Sequence, residues 1–322
     1  MVTGCAGFIG STLVEALSEL DCSVIGVDAL IDNYPRALKE RNLSDCARTA
    51  DFRFVELDIA EEPIAHLLDG VEGIFHLAAR PGVRTSWGPS YASYLHDNSL
   101  ATQRVFEAAA ERGIRVVFAS SSSVYGDAEY YPVDEDARLA PLSPYGITKL
   151  AGEALAGAYA TALGLDAVAL RYFSVYGPRQ RPDMAFARVV AGLAENRPFS
   201  VTGSGRQSRE FTYVGDVVDA TIAAMARAPS GRVYNVGGGG EVSLLDSVRV
   251  CEAIMGRRLE LVHVPSAAGD ARRTSADIRR AWRELGWRPV TSLEAGLTAQ
   301  ARAWTGAVVD EDRSRAWAGS SS

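Results

Sequence analysis

Along the first half of the chain, short apolar runs at 23–27, 52–57, 73–77, 116–120 and 167–171 are rich in β-branched residues and bounded by polar or glycine positions. Each has the length and composition of a strand. Between them, 11–20, 64–68, 91–112 and 144–163 carry apolar residues at helical spacing, and the last two are long and alanine-rich. Strand followed by helix, repeated, predicts an α/β fold with a doubly wound parallel sheet. After Gly177 the pattern loosens, and Pro178, Pro182, Pro198, Pro265 and Pro289 punctuate shorter elements. The expected organisation is a main unit over 1–176 that carries the parallel sheet and a smaller C-terminal α/β lobe over 177–305, some of whose elements return to the first unit. The polar, small-residue segment 306–322 is expected to form an irregular tail without a role.

A glycine fingerprint stands where the first strand should turn into the first helix: Gly4-x-x-Gly7-Phe8-Ile9-Gly10. Glycines there let the backbone approach a pyrophosphate, whose charge the helix N-terminus favours. Asp28, closing the second apolar run, lies near the ~20-residue spacing of a carboxylate that binds adenosine ribose hydroxyls. Such an acid repels a 2′-phosphate, so NAD is expected rather than NADP; a turn residue is the alternative. Asp58-Ile59, after the third run, either meets the adenine or caps a helix. Only Met1 and Val2 precede Thr3-Gly4, where a strand usually runs about five residues, so the first strand is expected to be short.

Composition narrows the class. The chain has 322 residues, 47% hydrophobic and 23% charged, with net charge −7 and scattered basic residues, which argues against a nucleic-acid or anionic-membrane surface. No apolar stretch approaches the ~20 residues of a bilayer span, and no signal-peptide layout is present. Cys5, Cys22, Cys46 and Cys251 lack paired spacing, and His66, His96 and His263 form no cluster, so no metal is expected. Reduced thiols and a cytoplasmic setting follow.

Tyr145 and Lys149 stand one helical turn apart, after the serine run Ser120-Ser121-Ser122-Ser123. A lysine ammonium beside the phenol, together with a nicotinamide ring, would favour the phenolate and make Tyr145 a base. Alone the spacing also describes an ordinary exposed i,i+4 pair. In combination with the fingerprint, His76-Leu77-Ala78-Ala79, Asn98, Ser121 to Gly126, and Arg171-Tyr172-Phe173-Ser174-Val175-Tyr176-Gly177-Pro178, the chain resembles the extended short-chain dehydrogenase/reductase superfamily and its nucleotide-sugar 4-epimerase branch, from Gly4 to about Trp304.

That resemblance implies a Rossmann-type fold, NAD as cofactor, a UDP-sugar substrate and a homodimer, for which two alanine-rich helices offer faces. It implies Tyr145 as the base, Lys149 on the nicotinamide ribose, and Ser121 on the sugar 4-oxygen with Ser123 sharing the duty. Ser120 and Ser122 would face away by strand alternation. Leu77, Ala78, Ala79 and Tyr172 would line the cofactor cleft, and Ser174 the substrate side; Asn98 either contacts the cofactor or is a packing amide.

Dehydratases and decarboxylases of the superfamily carry acids where this chain has Ser122 and Ser123, so its chemistry is expected to stop at C4. The run Arg181-Pro182-Asp183-Met184 looks like that of UDP-glucuronate 4-epimerases, with Arg181 able to clamp a C6 carboxylate. An exposed arginine paired to Asp183 is the alternative. Arg209 stands at the family's diphosphate position, or on the surface. Asp270 either accepts from the uridine ribose or caps a turn. A second diphosphate arginine usual in relatives is replaced by Ala267, with Arg272 or Arg273 either as substitutes or as solvated charges leading a helix. The rival readings are a UDP-glucose or UDP-N-acetylhexosamine 4-epimerase, a reductase, and a non-catalytic NAD-sensing protein.

Overall fold

In the computed structural model the described residues are 1–48, 51–265, 269 and 271–319, the side chains of 307–319 excepted. In chain order come β1 (Val2–Thr3), α1 (Phe8–Glu19), β2 (Val24–Asp28), α2 (Arg36–Cys46), β3 (Phe52–Glu56) and β4 (Gly73–His76). A helical run follows, made of α3 (Tyr91–Tyr94), a π-helical stretch (Leu95–Leu100) and α4 (Ala101–Arg112). Then come β5 (Arg115–Ser121), α5 (Pro144–Leu163) and β6 (Ala167–Tyr172). The remainder supplies β7 (Val175–Tyr176), α6 (Ala185–Glu195), β8 (Phe199–Thr202), β9 (Ser208–Glu210), β10 (Thr212–Tyr213), α7 (Val214–Arg227) and β11 (Val233–Val236). It ends with β12 (Glu241–Ser243), α8 (Leu244–Met255), β13 (Leu261–Val264), α9 (Arg279–Leu285) and α10 (Leu293–Gly319).

Seven parallel strands form the main sheet in the order β11-β6-β5-β4-β1-β2-β3. Helices cover both faces, so β6 is buried throughout and reads as a continuous apolar run rather than an alternating one. The strand order reverses between β1 and β4, and a crevice opens there at the carboxyl ends of the strands, as doubly wound Rossmann sheets require. β1 is two residues long, yet it pairs on both sides, Thr3 with Val27 and with His76.

The smaller lobe holds β8 parallel to β13, β9 antiparallel to β12, and a core of Phe186, Val189, Phe199, Val201 and Val248. β11 and α7 leave it to join the main sheet and its core. The α9–α10 segment packs back as well, since Ala281, Leu285 and Trp287 share that core with Leu13 and Val14 of α1.

Several elements differ from the sequence pattern. α1 begins at Phe8, inside the fingerprint, because Gly7 serves as its extended N-cap. The stretch 64–68 contains only a 3₁₀ turn, Ala65–Leu67. α2 has no apolar period to announce it, for its buried residues are Lys39, Asn42 and Cys46. The chain from Gly306 to Gly319 continues α10 as helix. Ala267 and Asp270 lie outside the described residues. Among the described residues no helix is long and apolar enough to cross a membrane, and no cluster of His, Cys, Asp and Glu could hold a metal.

Candidate active site

A cleft of about 400 Å3 runs along the carboxyl ends of β1, β2, β4, β5 and β6. One end is the glycine turn. Gly4 adopts φ +72, its amide donates to the Val27 carbonyl at 2.7 Å, and the turn delivers Gly7, Phe8, Ile9 and Gly10 to the cleft wall. A β-carbon on Gly10 would fall 2.1 Å from the Gly4 oxygen, and one on Gly4 would fall 2.8 Å from the Ala78 nitrogen. The turn is therefore compressed between α1 and the end of β4, with bare backbone facing the crevice. This is the surface a pyrophosphate needs.

Asp28, at the end of β2, lines the same wall and accepts hydrogen bonds from the amides of Ala6 (3.1 Å) and Leu30 (2.8 Å). Burial pushes its carboxyl up, which those amides and the Lys39 ammonium oppose. Asp28 thus acts as a turn residue and still presents its carboxylate to the cleft. Asp58 does likewise, lining the cleft with Ile59 while accepting from the Ala60 amide at 2.9 Å. Lys39, unremarked in the sequence, is a missed member of this wall. It is buried, donates to the Ile31 carbonyl at 2.5 Å and sits 4.7 Å from the Tyr34 ring centroid. The available signal was a lysine four residues after a proline-arginine helix start, close behind the ribose-type acid.

Leu77, Ala78, Ala79, Tyr172 and Ser174 also reach the cleft. Thr3 fixes the first of these, since its carbonyl accepts from the Leu77 amide and its hydroxyl from the Ala78 amide. Tyr172 contributes with its hydroxyl engaged by Thr221 at 2.8 Å. Asn98 is not brought to the cleft wall. Its side chain accepts from the Arg80 amide at 2.6 Å and donates to the Arg80 carbonyl and to Thr148 at 2.9 Å. These are the bonds of a packing amide, tying α5 to the loop after β4.

At the other end, Tyr145 and Lys149 face the cleft from α5, whose N-terminus is set by Pro144 at its first turn and by the Ser143 hydroxyl, which accepts from the Gly146 amide at 3.1 Å. Ser121 hydrogen-bonds Tyr145, and its hydroxyl donates to that of Ser123 at 3.0 Å. Ser123 reaches this position because the chain leaves the strand at Ser121 and turns through a 3₁₀ segment, Ser122–Val124. The pleat does not place it. Ser120 points to Glu153 instead.

Burial dominates the electrostatics. It pushes the Tyr145 phenol up, opposed by the Ser121 hydrogen bond and the Arg181 charge. It also pushes Lys149 down to about 8. Lys149 donates to the Ala119 carbonyl at 2.7 Å and lies 5.1 Å from the Phe118 ring centroid. An ammonium with that value is still charged near neutrality, and Arg181 adds a second cation whose charge Tyr145 feels.

Arg181 comes from the β7–α6 connection and lines the cleft with Tyr145 and Ser121. Its guanidinium is bidentate with Asp183, at 3.0 and 2.9 Å, so the pairing of the second sequence alternative is present, on a side chain that is largely buried and lines the cleft. Arg179 secures this connection through ion pairs to Glu15 of α1 and Asp45 of α2. Arg209 lies on β9, away from the cleft wall, and donates to the carbonyls of Ser208, Ala271 and Arg272. Arg272 pairs with Asp127 and Arg273 with Glu241.

Relatives share this architecture across nearly the whole chain. The UDP-glucuronic acid 4-epimerase from Bacillus cereus, solved with UDP-glucuronic acid and NAD, superposes with a TM-score of 0.91 at 40% identity, covering 94% of this chain and 97% of that one. An uncharacterized UDP-glucose epimerase, YtcB, of Bacillus subtilis is 44% identical over 301 residues, 92% of this chain and 95% of its own length. The UDP-glucuronate 4-epimerase of Thermodesulfobacterium geofontis is 35% identical over 304 residues, 92% of this chain and 93% of its own. The model of the NAD dependent epimerase/dehydratase family matches residues 1–237, and the chain belongs to that family.

Proposed function

We propose that this chain is a UDP-glucuronate 4-epimerase, interconverting UDP-glucuronate and UDP-galacturonate through a transient 4-keto sugar. The observation that carries the substrate is Arg181, a guanidinium on the same cleft wall as Tyr145 and Ser121 and close enough for Tyr145 to feel its charge. Sugar C4 lies next to C5 and its carboxylate, so a base for the 4-hydroxyl and a clamp for the acid must be neighbours.

The cleft fits NAD. Bare glycine backbone faces the pyrophosphate position, and Asp28 and Lys39 flank the adenosine end. When bound, NAD would supply the acceptor for the C4 hydride and the donor that returns it to the opposite face. Tyr145, acting as the phenolate, accepts the 4-hydroxyl proton and later gives it back. Ser121, now bonded to Tyr145, turns its hydroxyl to the 4-oxygen and keeps the oxygen within reach of the phenol. No carboxyl group replaces Ser122 or Ser123, so no side chain in that turn moves a proton at C5 or C6.

A 4-keto hexuronate is a β-keto acid and loses carbon dioxide when its C5–C6 bond aligns with the carbonyl π system. Arg181 holds the carboxylate out of that alignment, exchanging its bond to Asp183 for one to substrate. Ser174 lines the sugar side. Arg209 is assigned to the diphosphate and Asp270 to the uridine ribose, on the resemblance alone. The unit over 1–176 binds NAD, and much of 177–305 binds the UDP-sugar. Leu95, Leu100, Ile147 and Leu163 are large, exposed and close to or on α4 and α5, which supports a homodimer through these helices in the cytoplasm.

The second reading is a UDP-glucose 4-epimerase, favoured by the Arg181–Asp183 pair, which satisfies the guanidinium without a substrate acid. Chromatography of products from UDP-glucuronate and from UDP-glucose, without added cofactor, decides between them. UDP-galacturonate without UDP-pentose is expected, and Arg181→Ala should lose glucuronate turnover by tenfold or more beyond any loss with glucose. Equal losses would make Arg181 a structural residue.

A further inference from the structure

Three consecutive residues of β5 are each tied to one row of α5. Tyr145, Lys149 and Glu153 follow one another at i, i+4 and i+8, and so lie on one helix face. Ser121 bonds Tyr145, the Ala119 carbonyl accepts from Lys149 at 2.7 Å, and the Ser120 hydroxyl donates to Glu153 at 2.5 Å. The first two rungs belong to the chemistry already described. The third does not, and its chemistry is unusual: a carboxylate whose side chain is 7% exposed, held by the Arg171 guanidinium through two bonds at 3.0 and 2.7 Å. Arg171 is itself anchored to the Tyr125 hydroxyl and the Glu135 carbonyl.

The row of side chains has an electrostatic consequence. Lys149 assists a phenolate at Tyr145 only while it is charged, and burial works against that charge. The groups facing Lys149 are Tyr145 and Glu153 on its own helix, the Phe118 ring on β5, and His76 on β4, which burial keeps neutral by pushing it down to about 3. Arg171 on β6 stands behind Glu153. Glu153 is thus the anion of the set, and its effect is to raise Lys149.

We propose that Glu153 is a positioning residue of the reaction: braced by Arg171, it fixes the catalytic end of β5 through Ser120 and supplies the buried negative charge that keeps Lys149 a cation beside Tyr145. The inference rests on the epimerase reading for its assay only. It assigns to the third rung a task that buried ion pairs do not need for stability, since such pairs are often replaceable by apolar residues.

The test is the pH dependence of kcat/KM for the full chain and for Glu153→Gln, using whichever of UDP-glucuronate and UDP-glucose the unaltered protein epimerises. The alkaline limb, which follows loss of the Lys149 proton, should move to lower pH by about one unit, the smaller end of the shift an adjacent opposite charge produces. Glu153→Asp should recover part of the displacement. A limb that stays in place while the rate falls uniformly at every pH would reduce Glu153 to a brace and overturn the proposal. Should Glu153→Gln fail to fold, Glu153→Gln with Arg171→Met removes both buried charges; the limb should again move to lower pH, by less because the Arg171 charge that opposes the Lys149 proton goes with the anion, and an unmoved limb overturns the proposal. If the unaltered protein epimerises neither sugar, the functional reading fails separately. Lys149 is then titrated through its rate of acetylation by acetic anhydride against pH, read by mass spectrometry: a lower midpoint in Glu153→Gln supports the proposal and an unchanged one refutes it.

Discussion

Replacing Gly10 by alanine tests whether the glycine turn is a closed packing unit or merely a flexible loop. The added β-carbon would lie 2.1 Å from the Gly4 oxygen and 2.8 Å from the Gly4 carbonyl carbon, against an ordinary contact of 3.4–4 Å. More than an ångström of movement is needed. Gly4 cannot supply it, because its own Cβ position is already 2.8 Å from the Ala78 backbone and its amide is bonded to Val27. Overpacking of this kind costs about 1–3 kcal/mol, and the obstacle here is backbone rather than a side chain able to turn away. Gly10→Ala should therefore lower the melting temperature by several degrees and weaken NAD binding tenfold or more, since the same backbone forms the pyrophosphate surface. Gly7→Ala meets the Gly4 oxygen at 3.1 Å and needs a shift of only tenths of an ångström, so its stability loss should be smaller. Gly157→Ala, on α5 with nothing within 4 Å, should stabilise by about 0.5–1 kcal/mol and leave NAD binding unchanged. Calorimetry and NAD titration of the three variants make the comparison. A Gly10→Ala protein with the melting temperature and NAD affinity of the parent would refute the packing argument.

Asp28→Asn keeps one acceptor for the amides of Ala6 and Leu30 but removes the charge, so NAD binding should weaken about 10–100-fold and the preference over NADP should narrow, as titration with both dinucleotides would show. An unchanged preference would mean that Asp28 only holds the turn. His76 is buried between Thr3 and Thr102 and pushed from 6.5 to about 3, so between those values the unfolded chain binds a proton that the folded chain does not. Its contribution is fully present above pH 6.5 and is lost on acidification, by about 2 kcal/mol at pH 5. Urea unfolding at pH 7 and pH 5 should show that loss, and His76→Gln should flatten it; equal slopes would remove His76 from the acid sensitivity.

Features that are local in sequence were legible before any fold was known. The fingerprint, Asp28, and the Tyr145 and Lys149 pair are fixed by a turn or by one helical period, and β2, β4, β5 and β6 announce themselves because burial on both faces demands apolar runs, whereas β11 carries no such signal among the loosely patterned elements after Gly177. α2 did not announce itself, since it buries a lysine, an asparagine and a cysteine instead of an apolar stripe. Strand alternation, which sets Ser120 apart from Ser121, ends at Ser121, and a 3₁₀ turn is what brings Ser123 round to it. The uncertain residues were those whose partners lie far along the chain. Whether Asn98 meets a cofactor or packs depends on Thr148 across a parallel crossover, and whether Arg181 is a loop charge or a cleft charge depends on how the β7–α6 connection is secured to α1 and α2. A sequence records which side chains could form such bonds. Only the closed sheet, with its helices packed on it, decides which of them meet, because parallel strands bring together residues separated by whole helices and long-range packing sets the dielectric in which each charge must survive.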